Sequence, residues 1–122
     1  MSRAFPRPAP LAPLPPEVDE RYAELGYAGI LHHRLMAQIR DFEDGLGEEE
    51  ELAGMIASFG QTVLVRILDV GYHNPYFMVF YGEDLETNER VQLVQHVNQV
   101  SVLFRAVPKS PTVAKARRIG FA

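Results

Sequence analysis

The sequence predicts a single α+β domain in which N-terminal helices precede a strongly curled antiparallel sheet or a small barrel of four to five strands. Apolar residues between positions 22 and 46 recur at spacings of three and four, which is typical of an amphipathic helix. β-Branched and aromatic residues dominate after Gly60, as they do in strands. Short stretches rich in Gly, Asn and Asp join these runs and favour antiparallel neighbours.

The length of 122 residues suits one domain with one core. We divide the chain into a proline-rich arm at residues 1–16, an α+β body at residues 17–108 and a basic tail at residues 109–122. The arm contains six prolines and is expected to be extended or polyproline II. Its apolar side chains either dock on a partner or belong to a tether; they are Phe5, Leu11 and Leu14.

Charge and composition restrict the classes of function. All 16 acidic residues lie between Glu17 and Arg105, with only six of the 12 Lys and Arg residues, so the body is acidic and both ends are basic. Since nucleic-acid surfaces are built from Lys and Arg, this distribution disfavours RNA as a partner. The chain has no cysteine, no apolar run as long as the ~18 residues of a membrane helix and no signal-peptide pattern. We therefore expect a cytoplasmic protein without a membrane span.

Two helices are predicted before Gly60. Asp19 is a plausible N-cap for the first, and a break is expected near Gly26, so that the main helix runs over about residues 28–44. The acidic run at residues 48–51 complements the dipole at a helix N-terminus and predicts a second short helix. The apolar residues that this helix would bury are Leu52, Met55, Ile56 and Phe59.

Four strands are predicted after Gly60, at residues 62–70, 75–81, 90–96 and 100–107. Their short links predict an antiparallel meander. A fifth strand would come from bending the first run or splitting another at a bulge. Several runs are apolar at consecutive positions, so both faces of the sheet carry apolar side chains. One helix layer covers one face, so either the sheet curls on itself or a second copy of the chain covers the other face.

Two groups of polar and aromatic residues are candidate ligand-binding sites. One is the first strand connection, and the other is the segment VQHVNQVS, residues 94–101, which begins in the last part of the third strand. In each case the alternative is purely structural, because turn residues bond their own backbone and buried amides satisfy crossing strands. The candidate ligand-binding residues are Tyr72, His73, Asn74, Gln95, His96, Asn98 and Gln99.

The basic tail ends in the string KARRIGFA. It combines cationic with apolar side chains and has two open interpretations. It is either a short peptide that docks on a partner or a segment that packs its apolar residues on the body. The residues concerned are Arg117, Arg118, Ile119 and Phe121.

Patterns that indicate catalysis, metals or nucleotides are missing. His32 and His33 are adjacent on a helix and point about 100° apart, so they do not share a metal ion. Neither has a ligand-type residue four positions later. Glycine-rich nucleotide fingerprints and the GxSxG motif are also absent from the sequence. We expect no catalytic residues, no metal and no cofactor.

Two resemblances can be stated. The segment Gln95-His96-Val97, followed by Val100-Ser101 and a last apolar strand, resembles the bacterial Sm-like RNA chaperones, whose second motif contains Lys-His-Ala-Ile-Ser. This resemblance implies a small Sm-like or SH3-like barrel. Longer strings resemble a family of small bacterial proteins of unknown function, which implies no activity; they are HRLMAQIRDFEDGL, FGQ, GYHNP, FYG, LVQHVNQVS and RRIGF.

From these observations we expect a small cytoplasmic interaction or adaptor protein that is not an enzyme. It acts by binding a protein partner or by self-association. The alternative is an Sm-like homo-oligomer that binds RNA through residues 95–101. The alternative follows from the resemblance, whereas the acidic body argues against it.

Overall fold

A computed structural model describes the backbone of residues 16–58 and 60–119 and the side chains of residues 27–57 and 60–119. One helix, α1, spans Pro16–Asp44 and precedes a five-stranded sheet. The strands are β1 Glu50–Ser58, β2 Gln61–His73, β3 Phe77–Asp84, β4 Arg90–His96 and β5 Val102–Pro108, and the 3₁₀-helix Val97–Gln99 joins β4 to β5. The predicted α+β class is confirmed, with a single helix in place of the predicted two.

Helix α1 runs without interruption through Gly26, so the predicted break in the helix near this residue is wrong. The sequence signal nevertheless marks a real change in bonding. The amide of Ala28 donates to the carbonyl of Pro75 at 2.8 Å, and the amide of Gly29 donates to Oδ1 of Asn74 at 3.1 Å. Such outside acceptors are typical of a helix N-terminus. They join α1 to the connection between β2 and β3.

The predicted second helix is wrong, because residues 50–58 form strand β1. β1 lies between β2 and β5 and is paired with both. A strand buried on both faces is apolar at consecutive positions, and its spacing then imitates that of a helix. Gly54 shows how tightly this strand packs, since a Cβ atom there would lie 2.6 Å from Cδ1 of Ile67. Phe59, assigned to the same helix, lies outside the described residues.

The strand order is β4-β3-β2-β1-β5, and every neighbouring pair is antiparallel. The predicted meander is confirmed for β2, β3 and β4. The fifth strand was predicted to come from bending or splitting one of the four runs. This prediction is wrong, because the additional strand is β1. β5 pairs with β1 at the far edge. The sheet is not closed into a barrel, so the predicted barrel is wrong for a single chain.

The core lies between α1 and one face of the sheet. Ile39 of α1 packs there with apolar residues of β1, β2 and β3, and Ile119 joins them from the C-terminal segment. The sheet residues concerned are Leu52, Ile56, Ile67, Val70, Met78 and Phe80. Since side chains alternate along a strand, Phe77, Val79 and Tyr81 of β3 belong to the opposite face.

That opposite face, which we call the outer face, is also apolar in part. Val79 is buried there, whereas Phe77 and Tyr81 are exposed. The strand register also places Val94 of β4 and Leu103 of β5 on this face, and both are more than half exposed, at 53% and 59%. Large apolar side chains thus remain uncovered near both edges of the sheet. Among the described residues, no helix is long and apolar enough to cross a membrane.

Candidate functional site

The two predicted groups of ligand-binding residues meet at one end of the sheet. The register aligns His73 of β2 with Phe77 of β3, and Phe77 with His96 of β4. The β2–β3 connection therefore lies beside the end of β4 and the 3₁₀-helix that follows it. Sequence reasoning named the two groups separately, because their proximity depends on strand pairing between residues about twenty positions apart.

Aromatic rings cluster at this end of the sheet and form what we call the aromatic stack: Tyr27, Tyr76, Phe77 and His96. Tyr76 stacks on Tyr27 with ring centroids 5.9 Å apart and on His96 with centroids 5.4 Å apart. Phe77 meets His96 edge-on at 6.0 Å. Tyr27, Tyr76 and Phe77 are 67%, 44% and 45% exposed, so the stack offers ring surface to solvent.

Backbone hydrogen bonds hold Tyr76 in place from both sides. Its carbonyl accepts from the amide of Val97 at 2.8 Å, which ties it to the 3₁₀-helix. The preceding residues, Asn74 and Pro75, accept the two α1 amides described above. The aromatic stack is therefore carried by a connection that is bonded to α1 and to the segment after β4. A site on such a support is better ordered than one on an unsupported loop.

His96 is the residue of this site whose ring hydrogen-bond donor can be assigned. Its Nδ1 accepts a hydrogen bond from the amide of Asn98 at 3.1 Å. In the neutral ring the proton is then on Nε2, which can donate to a ligand. Asn98 and Gln99 lie next to it and are exposed. His96 thus combines a ring face with a directed donor.

Two of the predicted ligand-binding residues point elsewhere. Tyr72 lies against the core and packs on His32, with ring centroids 4.8 Å apart. Gln95 is buried, and its Nε2 donates to the carbonyl of Ala57 at 3.1 Å while its Oε1 has no hydrogen-bond partner. The structure therefore groups His73, Asn74, His96, Asn98 and Gln99 at the sheet end and separates Tyr72 and Gln95 from them.

A second cluster, which we call the carboxylate clamp, was missed by sequence reasoning. It consists of Glu51, Arg66, Glu83 and Arg117. Arg66 Nη1 lies 2.8 Å from Glu51 Oε1, Arg117 Nε lies 2.9 Å from Glu51 Oε2, and Arg117 Nη2 lies 3.0 Å from Glu83 Oε1. No local pattern predicts it, because its members come from β1, β2, β3 and the C-terminal segment.

The carboxylate of Glu51 is strongly acidic in this environment. Burial alone would raise its pKa, but hydrogen bonds from the side chain and amide of Arg117 and from the amide of Ser110 outweigh burial and lower the pKa to about 2. The same contact raises the pKa of Arg117. Glu51 is therefore ionised at neutral pH, and its charge is compensated by two arginines.

The C-terminal segment continues along the body from this clamp. Arg118 Nη1 donates to the carbonyl of Glu50 at 2.7 Å, and its Nη2 donates to that of Gly47 at 3.0 Å. The amide of Ile119 donates to Glu43 Oε2 at 3.1 Å, and the Ile119 side chain is 2% exposed. Three of the predicted docking residues, Arg117, Arg118 and Ile119, thus contact the chain's own body. The remaining ones, Phe5, Leu11, Leu14 and Phe121, lie outside the described residues.

Chemically, the sheet end offers ring surfaces, amides and one imidazole donor, which suit binding of a planar or apolar group. Within residues 27–57 and 60–119, no three His, Asp or Glu side chains converge to hold a metal ion.

The model of a family of unknown function, DUF6173, matches residues 26–122. No curated protein and no solved structure matches the chain.

Proposed function

Since the chain belongs to this family of unknown function, DUF6173, we propose its role from geometry: it is a non-catalytic interaction protein that self-associates through the two open edges of its sheet. Strand β4 of one copy pairs with strand β5 of the next. The observation that carries the proposal is that, within the described residues, both edge strands are unpaired on their outer sides and present exposed apolar residues.

The edges are the first support. β4 pairs with β3 and β5 pairs with β1, and the described part of the chain provides no strand for the outer side of either. An open edge presents unpaired backbone donors and acceptors to any added strand. Proteins that avoid edge pairing place prolines or charges along the strand. β4, with the sequence RVQLVQH, contains no proline, and its one charged residue, Arg90, stands at the first position.

The uncovered apolar side chains are the second support. Val94 on β4 and Leu103 on β5 are the most exposed large aliphatic residues of the described sheet, and both lie on the outer face. Exposed apolar patches on a small protein mark interaction surfaces. Pairing of β4 with β5 of a neighbour would shield both residues from water.

The surface next to β4 provides a recess for partner side chains. A groove of about 350 Å³ lies beside the bulge of β2 and the start of β4. Its lining combines an aromatic ring, a cation and an amide, supplied by Tyr81, Arg90 and Gln92. A strand added to β4 would pass this groove.

Pairing unlike edges has a consequence for symmetry. A contact between β4 and β5 is heterologous, and repetition of such a contact gives a closed ring or an open filament. A closed ring leaves no edge unpaired, which favours it over a filament. Pairing of β4 with β4 would instead give a dimer in which each β5 stays open.

The test measures the mass of the intact chain in solution at tens of micromolar by native mass spectrometry and light scattering. We expect one defined multimer, which Val94→Lys and Leu103→Lys each convert to a monomer. Gln38→Lys, an equivalent change on the exposed side of α1, should leave the mass unchanged.

Mixing the two edge variants distinguishes the pairing modes. The Leu103→Lys chain retains an intact β4 and the Val94→Lys chain retains an intact β5, so their mixture should form a one-to-one complex. A wild-type monomer would overturn the proposal. A wild-type dimer, or no complex between the variants, would reject the pairing of β4 with β5.

A second candidate function is binding of single-stranded RNA at the aromatic stack. The specific observation is that Tyr76 and Phe77 both contact the His96 ring and are exposed, since exposed rings with a nearby donor are how proteins bind unpaired bases. The order of helix, sheet, His96 at a strand end and last strand follows the order on which the Sm-like resemblance rests. The acidic body argues against tight phosphate binding.

Fluorescence anisotropy with labelled single-stranded RNA at two salt concentrations separates the two functions. RNA binding predicts a salt-sensitive signal that is lost in His96→Ala and retained in His33→Ala on α1. An interaction protein without RNA affinity predicts no signal at either salt concentration.

A further inference from the structure

The aromatic stack has no described occupant although its rings are exposed. Tyr27 and Tyr76 present adjacent rings to solvent, and the exposed ring of Phe77 joins them through His96, which contacts both Tyr76 and Phe77. Exposed rings in contact with one another form a contiguous apolar surface rather than scattered residues, and such surfaces normally have a partner. The question is which partner matches flat aromatic surface at this end of the sheet.

We propose that the proline-rich arm, residues 1–15, docks on the aromatic stack of its own chain. The arm's sequence is MSRAFPRPAPLAPLP. Proline-rich segments favour the extended polyproline II conformation, and aromatic-lined surfaces bind such segments at low entropic cost. The stack and the arm are therefore a matched pair of surface and ligand within one chain. This inference does not depend on edge pairing.

The length of the arm allows the contact. α1 begins at Pro16, and Tyr27 lies eleven positions later, which is about 16 Å along a helix. A polyproline II segment advances about 3.1 Å per residue. An arm that turns back at Pro16 needs five or six residues to reach the level of Tyr27. Pro10 then lies near Tyr27, and residues before Pro10 remain available to reach Tyr76 and Phe77.

Tethering makes a weak contact sufficient. A segment joined to its binding surface by a short linker has an effective concentration in the millimolar range. The arm therefore occupies the stack even when the same peptide added free in solution binds poorly. Arg3 precedes the prolines and Arg7 lies between Pro6 and Pro8, and both carry positive charge towards an acidic body. Guanidinium groups also bind over aromatic rings, which adds to the match.

The absence of cysteine from the sequence gives a clean test in the full-length chain. A nitroxide label on Ala9→Cys broadens the NMR signals of amides close to it. We expect the amide signals of Tyr27, Tyr76 and Phe77 to lose at least half their intensity. A label on Thr87→Cys, in the connection between β3 and β4, is the control for unspecific broadening.

Two variants show whether the rings and prolines cause the contact. Tyr76→Ala in the labelled chain should restore the Tyr27 signal. Replacing Pro8 and Pro10 together by Ser should do the same without touching the folded body, so the test remains decisive if Tyr76→Ala does not fold. Unchanged broadening in both variants would show that the arm approaches for another reason and would overturn the proposal.

A mixed sample assigns the arm to the correct chain. Isotope-labelled chain without nitroxide is mixed with unlabelled chain carrying the nitroxide. Broadening that occurs only when the nitroxide and the isotope label are on the same chain, and that dilution does not change, supports docking within one chain. Broadening in the mixed sample would assign the stack to the arm of a second copy and overturn the intrachain contact. Full signal intensity in both samples would exclude the arm as occupant.

Discussion

Arg117 donates twice to one oxygen of Glu51, through its backbone amide at 2.6 Å and through Nε at 2.9 Å. The two residues are 66 positions apart. Arg66 approaches the other oxygen of the same carboxylate at 2.8 Å. One buried carboxylate thus connects β1, β2 and the C-terminal segment, and the position of that segment depends on it.

Arg117→Ala should lower the free energy of unfolding by about 2 kcal/mol. The substitution removes charge-assisted hydrogen bonds to Glu51, each worth about 1.5–3 kcal/mol. Partial exposure of the arginine side chain reduces the loss. Urea denaturation followed by circular dichroism measures it. Arg34→Ala, a change at an exposed arginine of α1, is the control and should alter stability by less than about 0.5 kcal/mol.

Glu51 should make stability fall in acid. Its pKa in the fold is about 2, against a usual 4.5, so between these pH values the unfolded chain binds a proton that the folded chain does not. The free energy of unfolding therefore decreases as pH is lowered through this window. The contribution is about 3 kcal/mol, fully present above about pH 5 and lost near pH 2. Glu51→Gln should lack this component when denaturation is repeated across the acid range.

Glu43→Gln is the control for the acid experiment, because the expected sign is opposite. Burial raises the pKa of Glu43 despite its hydrogen bond from Ile119 and the charge of Arg118. Its folded form therefore binds a proton at a higher pH than its unfolded form, and this contribution to stability is lost as pH rises. If Glu43→Gln and Glu51→Gln changed the pH profile in the same direction, the assignment of the two carboxylates would be wrong.

Ile119→Ala should destabilise the protein by about 2–4 kcal/mol, the cost of truncating a buried isoleucine in a core. Ile119 is buried against Ile39 and the sheet. Val113→Ala, a smaller change at a half-buried position of the same segment, should cost about 1 kcal/mol or less. Thermal unfolding measures both. Equal losses of stability from the two substitutions would argue that Ile119 is not packed in the core.

Gly82→Ala should be among the most damaging single substitutions. A Cβ atom at this position of β3 would lie 2.0 Å from the backbone oxygen of Arg66 and 2.6 Å from Cγ1 of Val65. The backbone of β2 would have to move, at a cost of about 3 kcal/mol or more. Gly71→Ala is the matched control, because its nearest neighbour is the exposed side chain of Tyr81 at 3.3 Å rather than backbone. A stable, well-folded Gly82→Ala chain would contradict the packing of β2 on β3.

Local patterns were sufficient for the strands after Gly60. Residues 61–108 contain four strands close to the predicted ones, because β-branched runs between turn residues leave few alternatives. The prediction was wrong for residues 50–58. They form β1, an internal strand that is paired with β2 and β5 and is apolar at consecutive positions. The acidic residues before it imitated a helix start, whereas Glu51 is in fact buried against two arginines.

The candidate sites were also only partly predictable from the sequence. The residue types at the sheet end were recognisable from sequence, since His96, Asn98 and Asn74 stand in polar interruptions of apolar runs. Tyr27 and Tyr76 were not recognisable as site residues, because their place in the site depends on stacking with residues distant in the chain. The carboxylate clamp has no sequence signal at all.

By itself the sequence determined the α+β class, the positions of most strands and the distribution of charge, because these follow from local periodicity and composition. Tertiary structure decided that β1 is a strand, that β4 and β5 are the outermost strands of the described sheet and that Arg117 reaches Glu51. These outcomes depend on which distant backbone and charged groups become neighbours when apolar surface is buried, and no window of consecutive residues contains that information.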